Sequence, residues 1–210
     1  MKLNLPNIIP IFPLSGVIFF PKTNLPLTIF EPRYLTLFSD CIKSNKYMGI
    51  IQPKMNTTDV YSIGCLGKIT EHKKTKDGKV LINLSGVSRF EINLEINNDK
   101  IYREFDVSYE KFSKDQELED KKIIMFKKIQ TIYEKTKIFF EKNGLLLNWV
   151  EFEKLDQDQK INTLAMIAPI SDVEKQSILE SLDAESKTKI LSEIIEFYLY
   201  ENLAKIPTMQ

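Results

Sequence analysis

The sequence has few of the residues that build metal centres and disulfide frameworks. Its 210 residues include two cysteines, Cys41 and Cys65, and one histidine, His72. These numbers exclude a zinc site with four Cys or His ligands and a framework of several disulfides. We therefore expect no metal site, and we expect a reducing compartment, the cytoplasm.

Motifs of nucleotide-driven and hydrolytic enzymes are also missing. No glycine-rich loop ends in Gly-Lys-Ser/Thr, and Ser15 and Ser85 lack the leading glycine of a hydrolase elbow. Cys65 and His72 lie seven positions apart, which places them on opposite faces of a regular strand. We therefore predict no catalytic residue, no cofactor, a buried Cys65 and an exposed His72.

An excess of charge of either sign is lacking as well. The 29 basic and 29 acidic side chains give a formal net charge of +0, which disfavours a protein that coats a polyanion. Only three basic residues are arginines, at positions 33, 89 and 103, so few side chains can hold a phosphate or a guanine edge with two hydrogen bonds. Nucleic acid is therefore disfavoured as a partner.

Long apolar runs without a helix breaker do not occur. The apolar stretch from Leu3 to Phe20 contains Pro6, Pro10 and Pro13, which would break the helix of an export signal. A membrane span would need about 18 or more consecutive apolar residues. The sequence therefore predicts no membrane span.

Glycine and proline divide the chain into two parts. Residues 1–90 hold six of the seven glycines and seven of the nine prolines. The first part is rich in turn residues and β-branched runs, whereas the second has lysine- and glutamate-rich segments with helical apolar spacing. An α+β fold is therefore predicted, with the junction in the polar run 111–117.

Strands are predicted in the first part by short apolar runs between turn residues. The predicted strands are Ile8–Phe12, Leu25–Phe30, Tyr47–Gln52, Gly64–Lys73, Lys79–Phe90 and Ile101–Tyr109. Asp77-Gly78 predicts a tight hairpin between the fourth and fifth strands. Pro32 suits a first helical turn and predicts a helix that reaches about Lys43.

Helices are predicted in the second part by apolar periodicity and capping residues. A long helix from Leu118 would end at Asn143-Gly144. Asp156-x-x-Gln159 and Ser171-x-x-Glu174 have the form of capping boxes, so each should start a helix. A last helix is predicted from Asp183 to before Pro207.

A series of segments along the chain carries a family resemblance. In order, they are 11–21, 25–27, 29–34, 61–69, 77–78, 84–92, 164–166 and 173–180. Together they resemble the N-terminal substrate-binding domain of the Lon protease family, in its free-standing bacterial form. Phe30-Glu31-Pro32-Arg33-Tyr34 is the most specific segment, and Gly86-Val87-Ser88-Arg89-Phe90 is the second.

The resemblance implies a PUA-like β pseudo-barrel over residues 1–112 and an α-helical bundle over residues 117–206. In Lon proteases this domain precedes an ATPase domain and a Ser-Lys protease domain, and this chain resembles neither. The resemblance therefore implies a non-catalytic module that binds unfolded or extended polypeptide, or a partner protein such as a component of a protease system. RNA binding by a PUA-like fold is one alternative. The other is a small-molecule receptor whose pocket includes Arg33, Tyr34 or Tyr102.

Six residues are candidates for binding. They are Phe19, Phe20, Glu31, Arg33, Tyr34 and Arg89. The two phenylalanines could form an apolar binding surface or fill the barrel. The two arginines could contact a ligand or staple the fold, with Glu31 as a partner for either of them. The sequence favours the stapling role, which predicts that Arg33→Lys lowers the melting temperature.

Overall fold

The computed structural model describes residues 4–116 and 126–204. The chain divides into two compact units, Met1–Glu117 and Leu118–Gln210. The first contains a six-stranded sheet and the second contains helices. The α+β class predicted from the sequence is therefore confirmed. We call the first the β unit and the second the helical unit.

The six predicted strands all occur in the β unit. Their bounds are β1 Ile8–Pro13, β2 Asn24–Ile29, β3 Tyr47–Ile51, β4 Ile63–Lys74, β5 Val80–Ile96 and β6 Glu104–Ser108. The predicted helix, α1, spans Pro32–Lys43 and has its proline in the first turn. A 3₁₀ helix, Glu110–Gln116, follows β6. β5 continues to Ile96 instead of ending at Phe90, which gives one strand enough length to pair with three others.

The sheet closes on itself through β5. Its order is β2-β5-β4-β3-β1-β6, and β5 also pairs with β6. The first half of β5 pairs with β2, its second half pairs with β6, and β4 runs along its other edge. Five strands thus form a ring, while β2 pairs with β5 alone among the described residues. The core of the ring contains the buried side chains of Ile9, Ile11, Leu66, Phe90 and Phe105.

The β4–β5 hairpin forms at the predicted turn. Gly78 has a φ of +83°, a conformation that costs glycine little. The Thr75 amide donates to the Lys79 carbonyl at 2.9 Å and closes the turn. The hairpin places β4 and β5 in an extended antiparallel pair, from Ile63 opposite Glu91 to Lys74 opposite Val80.

The helical unit contains five described helices. They are α2 Phe126–Lys142, α3 Trp149–Glu153, α4 Gln157–Ile167, α5 Asp172–Glu180 and α6 Ala184–Ala204. Both predicted capping boxes are confirmed, at Asp156 and at Ser171. The predicted start of the first helix at Leu118 lies outside the described residues. Within the described part of the chain, no helix has the length and apolar character needed to cross a membrane.

Candidate functional site

Phe19 and Phe20 lie in the core of the β unit. Both rings are fully buried, because the segment before β2 packs closely against β5. The Lys22 amide donates to the Gly86 carbonyl at 2.8 Å, and the Gly86 amide donates to the Thr23 carbonyl at 2.9 Å. Both rings are thus interior side chains, outside the ring core given above, and neither is exposed to a ligand.

Arg89 is held inside the β unit by the 3₁₀ helix. Its Nε and one terminal nitrogen each donate to a carboxylate oxygen of Asp115 at 2.8 Å. The Arg89 backbone amide donates to the same carboxylate at 3.0 Å, and the guanidinium carbon lies 4.1 Å from the centre of the Phe112 ring. The expected Arg89–Glu31 pair is wrong, since the arginine points into the core towards Asp115. This burial and bonding favour a structural role for Arg89 over contact with a ligand.

Glu31, Arg33 and Tyr34 lie together at the start of α1. Arg33 pairs with Glu31 at 2.9 Å, and the two side chains are 54% and 43% exposed. The Arg33 guanidinium carbon also lies 4.5 Å from the centre of the Tyr34 ring. Tyr34 is buried and its ring centre lies 4.2 Å from that of Phe12. Burial raises the pKa of Tyr34, while the Arg33 charge opposes that shift.

Arg33→Lys is expected to change the stability of the protein very little. The sequence favours a stapling role for Arg33, but both members of its ion pair are exposed, and exposed pairs contribute at most about 1 kcal/mol. We expect a melting temperature within about 2 °C of the parent value by differential scanning calorimetry. A melting temperature lowered by 5 °C or more would instead support a stapling role for Arg33.

Exposed apolar side chains lie on one face of β2. Leu25 and Ile29 point into the core, whereas Pro26, Thr28 and Phe30, which directly follows the strand, are exposed. The Phe30 side chain is 61% exposed. Successive side chains of a strand point to opposite faces, so Pro26 and Thr28 share one face, and Phe30 continues the alternation one residue beyond the strand.

β5 adds Leu81 to this surface. Leu81 is opposite Thr28 and is 42% exposed, while its neighbours Val80 and Ile82 are buried. Phe30 lies one residue beyond the end of β2 and two positions from Thr28, a separation that side chains as large as phenylalanine and leucine can bridge. We call Pro26, Thr28, Phe30 and Leu81 the outer face.

The outer face is continuous with the predicted site residues at the start of α1. Phe30 immediately precedes Glu31, so the exposed ring and the exposed Arg33–Glu31 pair are neighbours in the chain. On the opposite flank, Lys73 of β4 is directly across from Leu81. The sequence analysis missed Phe30 and Leu81 as site residues. Strict alternation in β2 could have revealed Phe30, but the continuous apolar run Val80-Leu81-Ile82 conceals which of its members is exposed.

A polar cavity of about 390 Å³ lies near the start of β6, with Tyr102 and Arg103 in its lining. Arg103 is bound to both carboxylate oxygens of Glu95 at 2.7 Å. The Tyr102 hydroxyl donates to Asp40 at 2.8 Å, and burial together with this bond raises the pKa of Tyr102 to about 12. Of the three candidates for a small-molecule pocket, Tyr102 lines this cavity, whereas Arg33 and Tyr34 do not.

The expected arrangement of Cys65 and His72 is confirmed. Cys65 is buried and His72 is exposed. The second cysteine, Cys41, is buried too, and burial raises the pKa of its thiol to about 12, which keeps it protonated and unreactive at neutral pH. Within residues 4–116 and 126–204, no group of three or more His, Cys, Asp or Glu side chains is placed to hold a metal ion.

Comparison with known proteins gives one family. The sequence model of the ATP-dependent protease La (LON) substrate-binding domain matches residues 8–196. The Lon protease of Desulfosudis oleivorans is 27% identical over 196 residues, which are 88% of this chain and 23% of that protein. The Lon protease of Dictyoglomus thermophilum is 22% identical over 192 residues, which are 88% of this chain and 24% of that protein. The chain thus spans about a quarter of the length of these two relatives.

Solved structures of Lon N-terminal domains share the fold. The Lon N-terminal domain protein from Xanthomonas campestris superposes with a TM-score of 0.62 at 18% identity, covering 90% of this chain and 98% of that one. The N-terminal domain of the Mycobacterium avium complex Lon protease gives a TM-score of 0.63 at 13% identity, with the same coverage of both chains. At these identities the similarity is one of fold.

Proposed function

The chain belongs to the family of the ATP-dependent protease La (LON) substrate-binding domain, and from this membership we propose that it is a non-catalytic module for unfolded or extended polypeptide. The bound segment belongs to a protease substrate or to a partner protein. We place the binding surface on the outer face of the β unit. The observation that carries this proposal is the exposure of Phe30, 61%, directly after β2, together with that of Leu81, 42%, which pairs with Thr28 of β2.

The outer face suits an apolar ligand because its large side chains are exposed to water in the free protein. Fully burying a phenylalanine or leucine side chain contributes about 2 to 3 kcal/mol. Ordering a flexible peptide opposes this gain. Further contacts of the segment add to this gain, and for a weak module we expect dissociation constants of roughly tens of micromolar for single segments.

The face of β2 is a better binding surface than the edge that no described strand covers. A peptide that joined the edge as a further strand would need hydrogen bonds along all of β2. Pro26, in the middle of the strand, has no N–H to donate, and prolines in sheets stand at edges with the nitrogen facing solvent. The edge therefore cannot form a continuous ladder of hydrogen bonds with a peptide. We propose that the peptide binds to the apolar side chains of the outer face.

Phe30→Ser should weaken polypeptide binding about tenfold or more, because it removes the largest apolar group of the outer face. The measurement is fluorescence anisotropy with a labelled, permanently unfolded polypeptide. Leu94→Ser is the matched control, since Leu94 is 53% exposed on β5 and lies outside the outer face. Melting curves of both variants verify folding.

The proposal fails in either of two results. One is the absence of binding by the parent protein at about 100 μM, a concentration well above the expected dissociation constant. The other is an equal loss of binding in the Phe30 and Leu94 variants, which would place the contact elsewhere or show that it is unspecific.

A further inference from the structure

Lysines flank the outer face on the β4–β5 hairpin. Lys73, Lys74, Lys76 and Lys79 are all exposed. Lys79 pairs with Asp77 at 2.8 Å. In the described part of the chain, no carboxylate lies within ion-pair distance of Lys73, Lys74 or Lys76. Lysines at a hairpin end keep it soluble, so their number alone does not identify a ligand.

The position of Lys73 sets it apart from the other lysines. Lys73 is directly opposite Leu81, and paired residues of neighbouring strands project from the same face. Lys74 is opposite the buried Val80, so it belongs to the other face of the hairpin. An unpaired ammonium group and an exposed leucine are therefore neighbours on the outer face.

Two carboxylates, Glu71 and Glu31, lie near the outer face, and neither forms an ion pair with Lys73. Glu71 lies two residues before Lys73 and is opposite Asn83, which is itself opposite Pro26. Glu71 is therefore beside the Pro26 end of the outer face, while Lys73 is nearer the Phe30 end. At that end, Glu31 is already engaged by Arg33. A ligand that covers Phe30 and Leu81 would find a cation without a partner.

We propose that Lys73 makes the outer face selective for apolar segments that carry aspartate or glutamate close to the apolar residues. This inference rests on the proposed function and adds the chemistry of the preferred ligand. A carboxylate of the bound segment pairs with the Lys73 ammonium while neighbouring apolar side chains cover Leu81 and Phe30. Because the pair is exposed to solvent, its effect is modest and is screened by salt.

The test uses three labelled peptides with the same apolar residues, whose polar positions are aspartate, glutamine or lysine. Anisotropy titrations are made with the full chain at low and at high salt. We expect the aspartate peptide to bind about threefold to fivefold more tightly than the glutamine peptide at low salt, and the lysine peptide to bind most weakly. High salt should bring the three dissociation constants together.

Lys73→Glu should abolish or reverse the preference, since it places a carboxylate beside Leu81. Lys74→Glu is the matched control, because it changes the net charge equally on the opposite face, and it should keep most of the preference. Equal binding of the aspartate and glutamine peptides to the parent protein would overturn the inference while leaving the proposed function in place. A preference unchanged by Lys73→Glu would also overturn it, and failure of all three peptides to bind would overturn both.

Discussion

Asp115→Ala is expected to destabilise the β unit by about 3 to 5 kcal/mol. The Arg89 side chain is 3% exposed and the Asp115 side chain is 10% exposed, so this ion pair lies in the interior. Asp115 is a counter-ion of Arg89, and breaking a buried ion pair costs several times as much as breaking an exposed one. The Arg89 backbone amide loses its acceptor in the same variant.

Urea unfolding followed by circular dichroism measures this loss, and hydrogen exchange of β5 peptides locates it in the β unit. Glu91→Gln is a suitable control, since Glu91 forms an exposed pair with Lys111 at 2.9 Å and should lose less than about 1 kcal/mol. If Asp115→Ala and Glu91→Gln cost the same, the stapling role of Arg89 is refuted.

The Arg89–Asp115 pair also shows why the sequence predicts some contacts and misses others. Asp115 lies in the polar run that the sequence analysis takes as the junction between the two parts, yet it is bound to Arg89, 26 positions earlier. Nothing in the local pattern selects Asp115 from the 29 acidic residues. Which acidic residue pairs with Arg89 depends on the path of the chain after β6, because this path brings the 3₁₀ helix against β5.

Contacts between residues three or four positions apart were predicted well. The two capping boxes join Asp156 to Gln159 and Ser171 to Glu174, and the hairpin turn is closed within residues 75–79. Local geometry alone is enough to fix such contacts. This explains why helix starts and strand order along the chain could be predicted, whereas the closure of the sheet required non-local pairing.

The candidate site was predicted only in part for the same reason. Glu31 and Arg33 pair within two positions, so their proximity could be inferred from the sequence. Leu81 reaches the same surface through its pairing with β2. Phe20 has the composition expected of an apolar surface, but the contact of its backbone with Gly86 places the ring inside. Composition identifies apolar residues, and the pairing of strands decides which of them are exposed.

Gly86→Ala is expected to cost about 3 kcal/mol of stability. A Cβ atom at position 86 would lie 2.2 Å from the Phe20 carbonyl oxygen and 3.1 Å from the Pro21 Cα atom. These are backbone atoms, so no rotation of a side chain relieves the contact, and overpacking of this kind typically costs about 1 to 3 kcal/mol. The two hydrogen bonds between Gly86 and the segment before β2 would lengthen as that segment moves away.

The sign of this effect makes the test decisive. At an open strand position, glycine to alanine should stabilise the protein by about 0.5 to 1 kcal/mol, because alanine loses less backbone entropy on folding. Ser85→Ala, one residue earlier on β5, is the control and should stay within about 0.5 kcal/mol of the parent in urea unfolding. A stability of Gly86→Ala equal to or above that of the parent would mean that Phe20 is not held against β5, and the burial of Phe19 and Phe20 would lose its explanation.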